Sequence, residues 1–217
     1  MIRDPELLAK AVTTTANVPM TGQEDVQKYD YYSLLPYPTS GTYELRFFSV
    51  AVGSVIPNTN ITATQYWTNL NVPNQIEAPC RFILENIFVD YYPNVEAIDK
   101  GVALKDMYNV LSKGYLTLVI SSKPYQKISP VLKVGGMSYI PSWENTRGLD
   151  TTPSFSSFGC VIPVMEYNIF PTIQLVSNIT FNVVINWDNL VPLTNRTAGT
   201  FDIISVTLSG HLVRLAQ

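Results

Sequence analysis

The chain has 217 residues and a formal net charge of −3, and 14% of its residues are charged, against about 25% in an average soluble domain. It carries one histidine, His211, and two cysteines, Cys80 and Cys160, so it is poorly supplied with groups for acid–base, thiol or metal chemistry. It has no dense run of Lys and Arg, which argues against direct binding of nucleic acid by the folded body. The length suits one large β domain, with or without an arm.

Residues 1–41 are predicted to form an N-terminal arm, and residues 42–217 the folded domain. Within the arm, Pro5–Val12 is predicted to form a short helix with Asp4 as its N-cap. Tyr29–Pro38 is rich in tyrosine and contains two prolines, which favour an extended segment over a helix.

The first strands are predicted from their β-branched and aromatic content. Thr42–Val52 is predicted as a strand, and Val55–Val72 as a loop or weak strand. Cys80–Tyr92 is predicted as a second long strand. Its alternation of apolar and polar residues is imperfect, which predicts a β-bulge near Glu85 and Asn86.

Lys100–Lys113 is predicted to form an interior helix, because its apolar residues recur at spacings of three and four. Gly114 supplies a stop signal after it. Tyr115–Ser121 then reads as a strand.

The second half of the chain is predicted to hold long loops between strands. Residues 122–157 are rich in Pro and Gly and predict loops with one or two short strands. Phe158–Met165 and Thr172–Ser177 are weaker strand candidates, whereas Asn178–Trp187 and Phe201–Leu215 are strong ones. Gly210, inside the last strand, predicts a bulge or bend.

These elements predict an all-β fold. About eight antiparallel strands, one interior helix and long loops are most simply a single jelly-roll β-sandwich preceded by an N-terminal arm. One helix is too few for a parallel sheet, because parallel crossovers usually need a helix each.

The sequence offers little for catalysis, and we predict no catalytic residue, no cofactor and no metal site. His211 lies within the terminal strand and is predicted to be a strand histidine at an edge or interface. Glu85 and Asp90 are five residues apart in one strand, which places them on opposite faces. The two cysteines are either reduced thiols or one disulfide.

Aromatic residues in loop and strand-end contexts are the candidate interface, because Tyr and Trp offer a large rigid contact area with a polar end. Core packing accounts for part of this set, and subunit contacts or sugar stacking for the rest. The residues in such contexts are Tyr29, Tyr31, Tyr32, Tyr37, Trp67, Tyr91, Tyr92 and Trp143. The interface candidates chosen from this set are Tyr29, Tyr31, Tyr32, Tyr37, Trp67 and Trp143.

The overall layout resembles that of viral jelly-roll capsid proteins, the coat or vertex subunits of icosahedral phages with an internal membrane. The features that carry the resemblance are a polar N-terminal arm, a strand–helix–strand order over Phe82–Ser121, loops rich in Pro and Gly, and the final segment Phe201–Gln217. With 217 residues the chain has room for one jelly roll.

The resemblance implies a structural virion protein, made in the host cytoplasm and located in the capsid. It implies self-assembly into trimeric, pentameric or hexameric capsomers and contact with other capsid proteins. The arm is expected to contact neighbouring subunits or an internal membrane. The resemblance supplies no catalytic residues and no cofactor.

Two other functions stay open at this stage. One is a lectin-like or receptor-binding β-sandwich module, which the aromatic loops allow. The other is a hydrolase that uses two carboxylates, for which Glu166, Asp188 and Asp202 are candidates because they lie near strand ends.

Overall fold

The computed structural model describes residues 24–94, 100–130, 138–142, 154–158, 172–194 and 199–215. Within these ranges the chain forms ten strands and one helix. They are β1 (Glu24–Pro38), β2 (Glu44–Phe47), β3 (Arg81–Tyr92), α1 (Lys100–Lys113), β4 (Gly114–Ile120), β5 (Lys123–Ile128), β6 (Ser138–Ser142), β7 (Ser154–Phe158), β8 (Ile173–Val176), β9 (Phe181–Trp187) and β10 (Phe201–Leu215).

Eight of these strands form two four-stranded sheets. The first sheet has the order β1-β10-β3-β8 and the second has the order β2-β9-β4-β5, and neighbouring strands are antiparallel throughout. Strands β6 and β7 pair separately as a hairpin. Apolar side chains from both sheets form one core, so the predicted all-β sandwich is confirmed.

The core follows from the alternation of side chains along the strands. In β9, the buried residues Phe181, Val183 and Ile185 are two apart, and in β10 the same spacing joins Ile204 and Val206. Alternate side chains point to the same face of a strand, so each strand contributes one apolar row. Burying each of these side chains contributes about 1.5–3 kcal/mol.

Helix α1 forms where its apolar spacing predicted it, and it is tied to the sandwich by two polar contacts. Its apolar face is buried at Val110 and Leu111. The Trp187 indole Nε1 donates to the Val110 carbonyl oxygen at 2.8 Å, which satisfies a carbonyl of the last helical turn. The buried Asp106 carboxylate accepts from both the backbone N–H and the hydroxyl of Thr194, each at 2.8 Å.

The predicted boundary between arm and domain, after residue 41, is wrong. Residues 24–38 are strand β1, which pairs with β10 along its full length from Glu24 opposite Leu215 to Pro38 opposite Phe201. The sandwich therefore begins at or before Glu24. Residues 1–23, with the predicted helix Pro5–Val12, lie outside the described residues.

The prolines of β1 are compatible with a strand because β1 is at the edge of its sheet. The N–H groups of Tyr32 and Leu34 point away from β10 and donate to Asn69 Oδ1 and to the Trp67 carbonyl oxygen. The backbone nitrogens of Pro36 and Pro38 point the same way, because both residues are an even number of positions from Tyr32. Neither proline therefore removes a hydrogen bond to β10.

Two other strands differ in length or place from their predictions. Strand β2 ends at Phe47 instead of Val52, because Phe48 has a φ of 66° and turns the chain out of the sheet. Strand β5 lies in the region expected to be mostly loop. Its Pro124 sits at a register shift of the ladder with β4, where proline is tolerated. The weak candidate Phe158–Met165 lies outside the described residues, apart from Phe158 at the end of β7.

The predicted bulge is confirmed, and it changes which residues share a face. Ser209 lies opposite Asn86 and Gly210 lies opposite Leu84, so Glu85 is the extra residue on β3. On β3 the side chains that face the core are those of even-numbered residues up to Leu84 and of odd-numbered residues from Ile87 onward. The prediction that Glu85 and Asp90 lie on opposite faces is therefore wrong, because the bulge puts both on the face turned away from the core.

Candidate functional site

Two of the predicted interface tyrosines are core residues. Tyr37 is fully buried, its hydroxyl donates to the Val191 carbonyl oxygen at 2.7 Å, and its ring packs edge-on against Trp187. Tyr31 is buried between Tyr29 and Phe82, again with edge-on ring contacts. Burial raises the pKa of both phenols above the ordinary range. Tyr31 and Tyr37 thus pack the sandwich and are not available to a partner.

Tyr32 and Trp67, in contrast, lie on neighbouring segments at the edge of the first sheet, Tyr32 on its outer face, turned away from the core, and Trp67 partly buried. The Tyr32 hydroxyl donates to the carbonyl oxygen of Gln65. The Trp67 ring lies 5.4 Å from the Tyr66 ring and 6.4 Å from the Phe201 ring. Together with Tyr92, at the end of β3, these residues define a surface that we call the aromatic patch: Tyr32, Tyr66, Trp67, Tyr92 and Phe201.

The segment that carries Trp67 also covers the free edge of β1. A bridge joins Ser33 to Thr68, and the Asn69 side chain both accepts from Tyr32 N–H and donates to the Asp30 carbonyl oxygen at 2.8 Å. These contacts use backbone groups that an edge strand would otherwise offer to another chain. Two residues of the aromatic patch, Tyr66 and Trp67, therefore belong to a segment that is fixed to β1.

Asp90 gives the outer face a carboxylate in an unusual environment. It lies opposite Ser205, whose side chain is buried although it points away from the core. Burial raises the pKa of Asp90 to about 6. Burial raises the pKa of Tyr92, and electrostatic interactions with Asp90 and Tyr66 raise it further. Tyr66, Asp90 and Tyr92 therefore lie close enough for their charges to interact.

Further along the outer face, charged side chains pair with one another across strands. Arg81 on β3 contacts both carboxylate oxygens of Glu24 on β1 at 2.8 Å, and β10 runs between those two strands. His211 Nδ1 lies 3.0 Å from Glu85 Oε1, within ion-pair range but without the alignment of a hydrogen bond. Because positive and negative groups are close together, this face presents little net charge to a partner.

Tyr29 lies apart from the aromatic patch. It is half-buried and, with Glu77 and Cys80, lines a small cavity of about 200 Å³. Cys80 is a free thiol packed against the core. Trp143 and Cys160 lie outside the described residues.

The carboxylates considered for hydrolysis do not form an active site in the described part of the chain. Asp202 is buried and accepts from the Tyr91 hydroxyl and from the backbone N–H of Asn94, which fixes the end of β3 to β10. Asp188 is exposed, and Glu166 lies outside the described residues. Among the described residues there is no group of three or more His, Cys, Asp or Glu arranged to hold a metal ion.

Among the described residues, several exposed tyrosines fall outside the six interface candidates. Tyr66 is 62% exposed and Tyr92 is 47% exposed. The others are Tyr43, Tyr108 and Tyr125. For two of these tyrosines the sequence gave a weak indication of exposure. Tyr92 directly precedes Pro93 at a strand end, and Tyr108 falls between the apolar positions of α1.

Comparisons with protein-family models, with curated proteins and with solved structures found no match to this chain. In the described residues no helix is both long enough and apolar enough to cross a membrane. The fold and the surface chemistry are therefore the grounds on which a function is inferred.

Proposed function

We propose that this protein is a structural subunit of a viral capsid, built on a single jelly roll and assembling with copies of itself. The observation that carries the proposal is the strand order, β1-β10-β3-β8 facing β2-β9-β4-β5. In this order the first and last strands are neighbours, and most consecutive strands fall in opposite sheets. A jelly roll, built from two Greek keys and found in many viral capsid and lectin domains, is expected to have a strand order of this kind, and this supports the proposal.

The chemistry of the surface supports assembly. Tyrosine and tryptophan are enriched in interfaces because a large rigid ring is buried at little cost in conformational entropy. The aromatic patch presents such rings next to a carboxylate, Asp90, that is already partly desolvated. The low overall charge limits repulsion between identical subunits.

The strand edges favour assembly through side chains over assembly through added strands. In β2 the carbonyl oxygens of Glu44 and Arg46 accept from the hydroxyls of Thr42 and Ser49. The opposite edge strand, β5, carries lysines and Pro124. We infer that subunits meet at side-chain surfaces such as the aromatic patch, which allows a closed shell in place of a fibre.

The remaining partners follow from the same proposal. Other capsid proteins would contact the subunit, and residues 1–23 would supply the contact with neighbours or with an internal membrane that the sequence analysis assigned to the longer arm. The subunit would be made in the host cytoplasm and located in the virion.

The test is the mass of the full-length protein in solution, measured by sedimentation velocity and native mass spectrometry over a range of concentration and salt. We expect a closed oligomer or shell that persists in high salt, because its contacts would be neutral and partly apolar. Tyr66→Ser should weaken assembly, whereas Tyr125→Ser, which removes an equally exposed ring from the far edge of the second sheet, should not. A protein that stays monomeric at every concentration would overturn the proposed function. Oligomers unaffected by Tyr66→Ser would overturn the role of the aromatic patch.

A further inference from the structure

A second cavity lies at one end of the sandwich, where β1, β2 and the start of β10 meet. It has a volume of about 430 Å³, and we call it the corner cavity. Its walls come from the end of β1, from β2, from the turn at Pro57–Thr59 and from Gly199–Phe201. Cavities of this size are typical of sites for small organic molecules.

The mouth of the corner cavity holds an ion pair with spare hydrogen-bonding capacity. Arg46 Nε and Nη2 both donate to Glu44 Oε1, at 3.2 and 2.9 Å. Glu44 Oε2 and Arg46 Nη1 make no hydrogen bond within the described part of the chain, and about half of each side chain is exposed. The pair therefore offers one strong acceptor and one strong donor side by side, with no net charge.

Two further polar side chains in the lining are uncommitted. The Asn58 amide and the Thr39 hydroxyl line the cavity and make no hydrogen bond to the described residues. Other hydroxyls of the lining are already used, since Thr42 donates to the Glu44 carbonyl oxygen and Thr59 to that of Ile56. The groups without a hydrogen bond in the described residues thus come from three parts of the lining: the end of β1, β2 and the turn at Pro57–Thr59.

Apolar groups supply the rest of the wall. Phe201, Pro36 and Pro57 line the cavity together with Leu35 and Leu45. A ring and several proline faces give a flat hydrophobic surface that can accept the C–H face of a sugar ring.

The walls are held in place before any ligand arrives. Asn58 has a φ of 61°, and the turn around it is closed by bonds from the N–H and the hydroxyl of Thr59 to the Ile56 carbonyl oxygen. Gly41, in the β1–β2 corner, has a φ of 79°, and a Cβ there would lie 2.8 Å from the Val191 backbone nitrogen. A preformed site loses less entropy when it binds.

From this combination we propose that the corner cavity binds a neutral saccharide. Adjacent sugar hydroxyls would donate to Glu44 Oε2 and accept from Arg46 Nη1, and the sugar's C–H face would pack on Phe201. An anion is less suited, because Glu44 lies at the opening beside Arg46. A fully apolar ligand would leave the ion pair and the Asn58 amide without partners. The corner cavity shares Phe201 with the aromatic patch but none of its polar side chains, and a saccharide site goes beyond the proposed structural role.

The test uses the full-length protein and defined probes: methyl glycosides of glucose, galactose, mannose and N-acetylglucosamine, followed by an array of immobilised oligosaccharides. Binding is measured by saturation-transfer NMR and by titration. We expect at least one saccharide to bind, and the double variant Glu44→Gln, Arg46→Gln to weaken it by at least about tenfold, equivalent to about 1.4 kcal/mol. Asn58→Gly, which keeps the positive φ available, should also weaken binding.

The matched control is the double variant Asp25→Asn, Arg214→Gln. It removes an ion pair with the same 2.9 Å separation and similar exposure outside the corner cavity, and should leave binding unchanged. Absence of binding by every saccharide, or equal binding by the cavity variants, would overturn the proposal. Particle assembly measured on the same variants separates the two proposals, since neither ion pair belongs to the aromatic patch.

Discussion

Gly210 gives the sharpest prediction about stability, because the ladder between β10 and β3 leaves no room for a side chain there. A Cβ at this position would lie 1.9 Å from the Ile83 carbonyl oxygen and 3.1 Å from the Phe82 ring. Ordinary contacts between carbon and a carbonyl oxygen are about 3.3–3.6 Å, so the two backbones would have to separate by about 1.4 Å. The neighbouring pairs, Ser209 with Asn86 and His211 with Ile83, resist that separation.

We expect Gly210→Ala to lower the free energy of unfolding by at least about 3 kcal/mol. Overpacking alone costs about 1–3 kcal/mol, and each buried backbone hydrogen bond broken to relieve it adds about 1–3 kcal/mol. The gain from a less flexible unfolded chain, about 0.4–1 kcal/mol, does not offset these losses. Urea denaturation followed by far-ultraviolet circular dichroism measures the change.

The control for this prediction is Gly53→Ala. Gly53 has a φ of 88°, and a Cβ there would meet no atom within 4 Å. That substitution carries a backbone penalty of about 1–2 kcal/mol and no collision. If Gly210→Ala were no more destabilising than Gly53→Ala, the close approach of the two backbones at the bulge would be refuted.

Three further predictions concern buried polar groups. Asp90→Asn should raise the free energy of unfolding by up to about 3 kcal/mol at about pH 7 and by little at about pH 4. The pKa of Asp90 is raised to about 6 in the folded protein, so folding favours the protonated acid, and the stability that the protonated acid contributes is lost as the pH rises through about 6. Equal gains at both pH values would contradict this. Trp187→Phe should cost about 1–3 kcal/mol in urea denaturation, since it leaves the Val110 carbonyl without its indole donor. Trp67→Phe, at a ring that is only partly buried and has no hydrogen bond in the described part of the chain, should cost less. Asp106→Ala should lower the thermal midpoint and cost about 1–2 kcal/mol, and Asp106→Asn, which keeps an acceptor, should cost less.

Periodicity and turn residues were sufficient to predict several elements from sequence. Helix α1 has the predicted bounds, because apolar spacing and Gly114 define both its face and its end. The bulge was predicted from two separate signals, the broken alternation at Glu85 and the glycine at 210, which the structure brings to the same register shift of the ladder between β3 and β10. Local chemistry alone determined these features.

The failures came where tertiary position decides the outcome. In β1 the alternation of Tyr29, Tyr31, Ser33, Leu35 and Tyr37 was present in the sequence, but the segment was assigned to the arm and not to the sheet. It also contains two prolines, Pro36 and Pro38. They are tolerated because the strand has a free edge, which is a property of the sheet and not of the segment.

The same limit explains the candidate interface. Tyr31 and Tyr32 are adjacent in sequence and equally aromatic, yet one packs in the core and the other lies on the outer face. In a strand, neighbouring residues point to opposite faces, which separates Tyr31 from Tyr32. The segment was assigned to an arm, so this rule was not applied to it. The corner cavity depends on four separate segments of chain and had no local signal.

The adjacency of β1 and β10 has a consequence for how the protein is made. The residues that pair in this ladder are roughly 160 to 190 positions apart, and β10 is also the strand that joins β1 to β3. During synthesis, β1 and β3 leave the ribosome long before the strand that belongs between them. The first sheet can close only after β10 has left the ribosome, so β1 and β3 must avoid pairing with each other or with another chain until then.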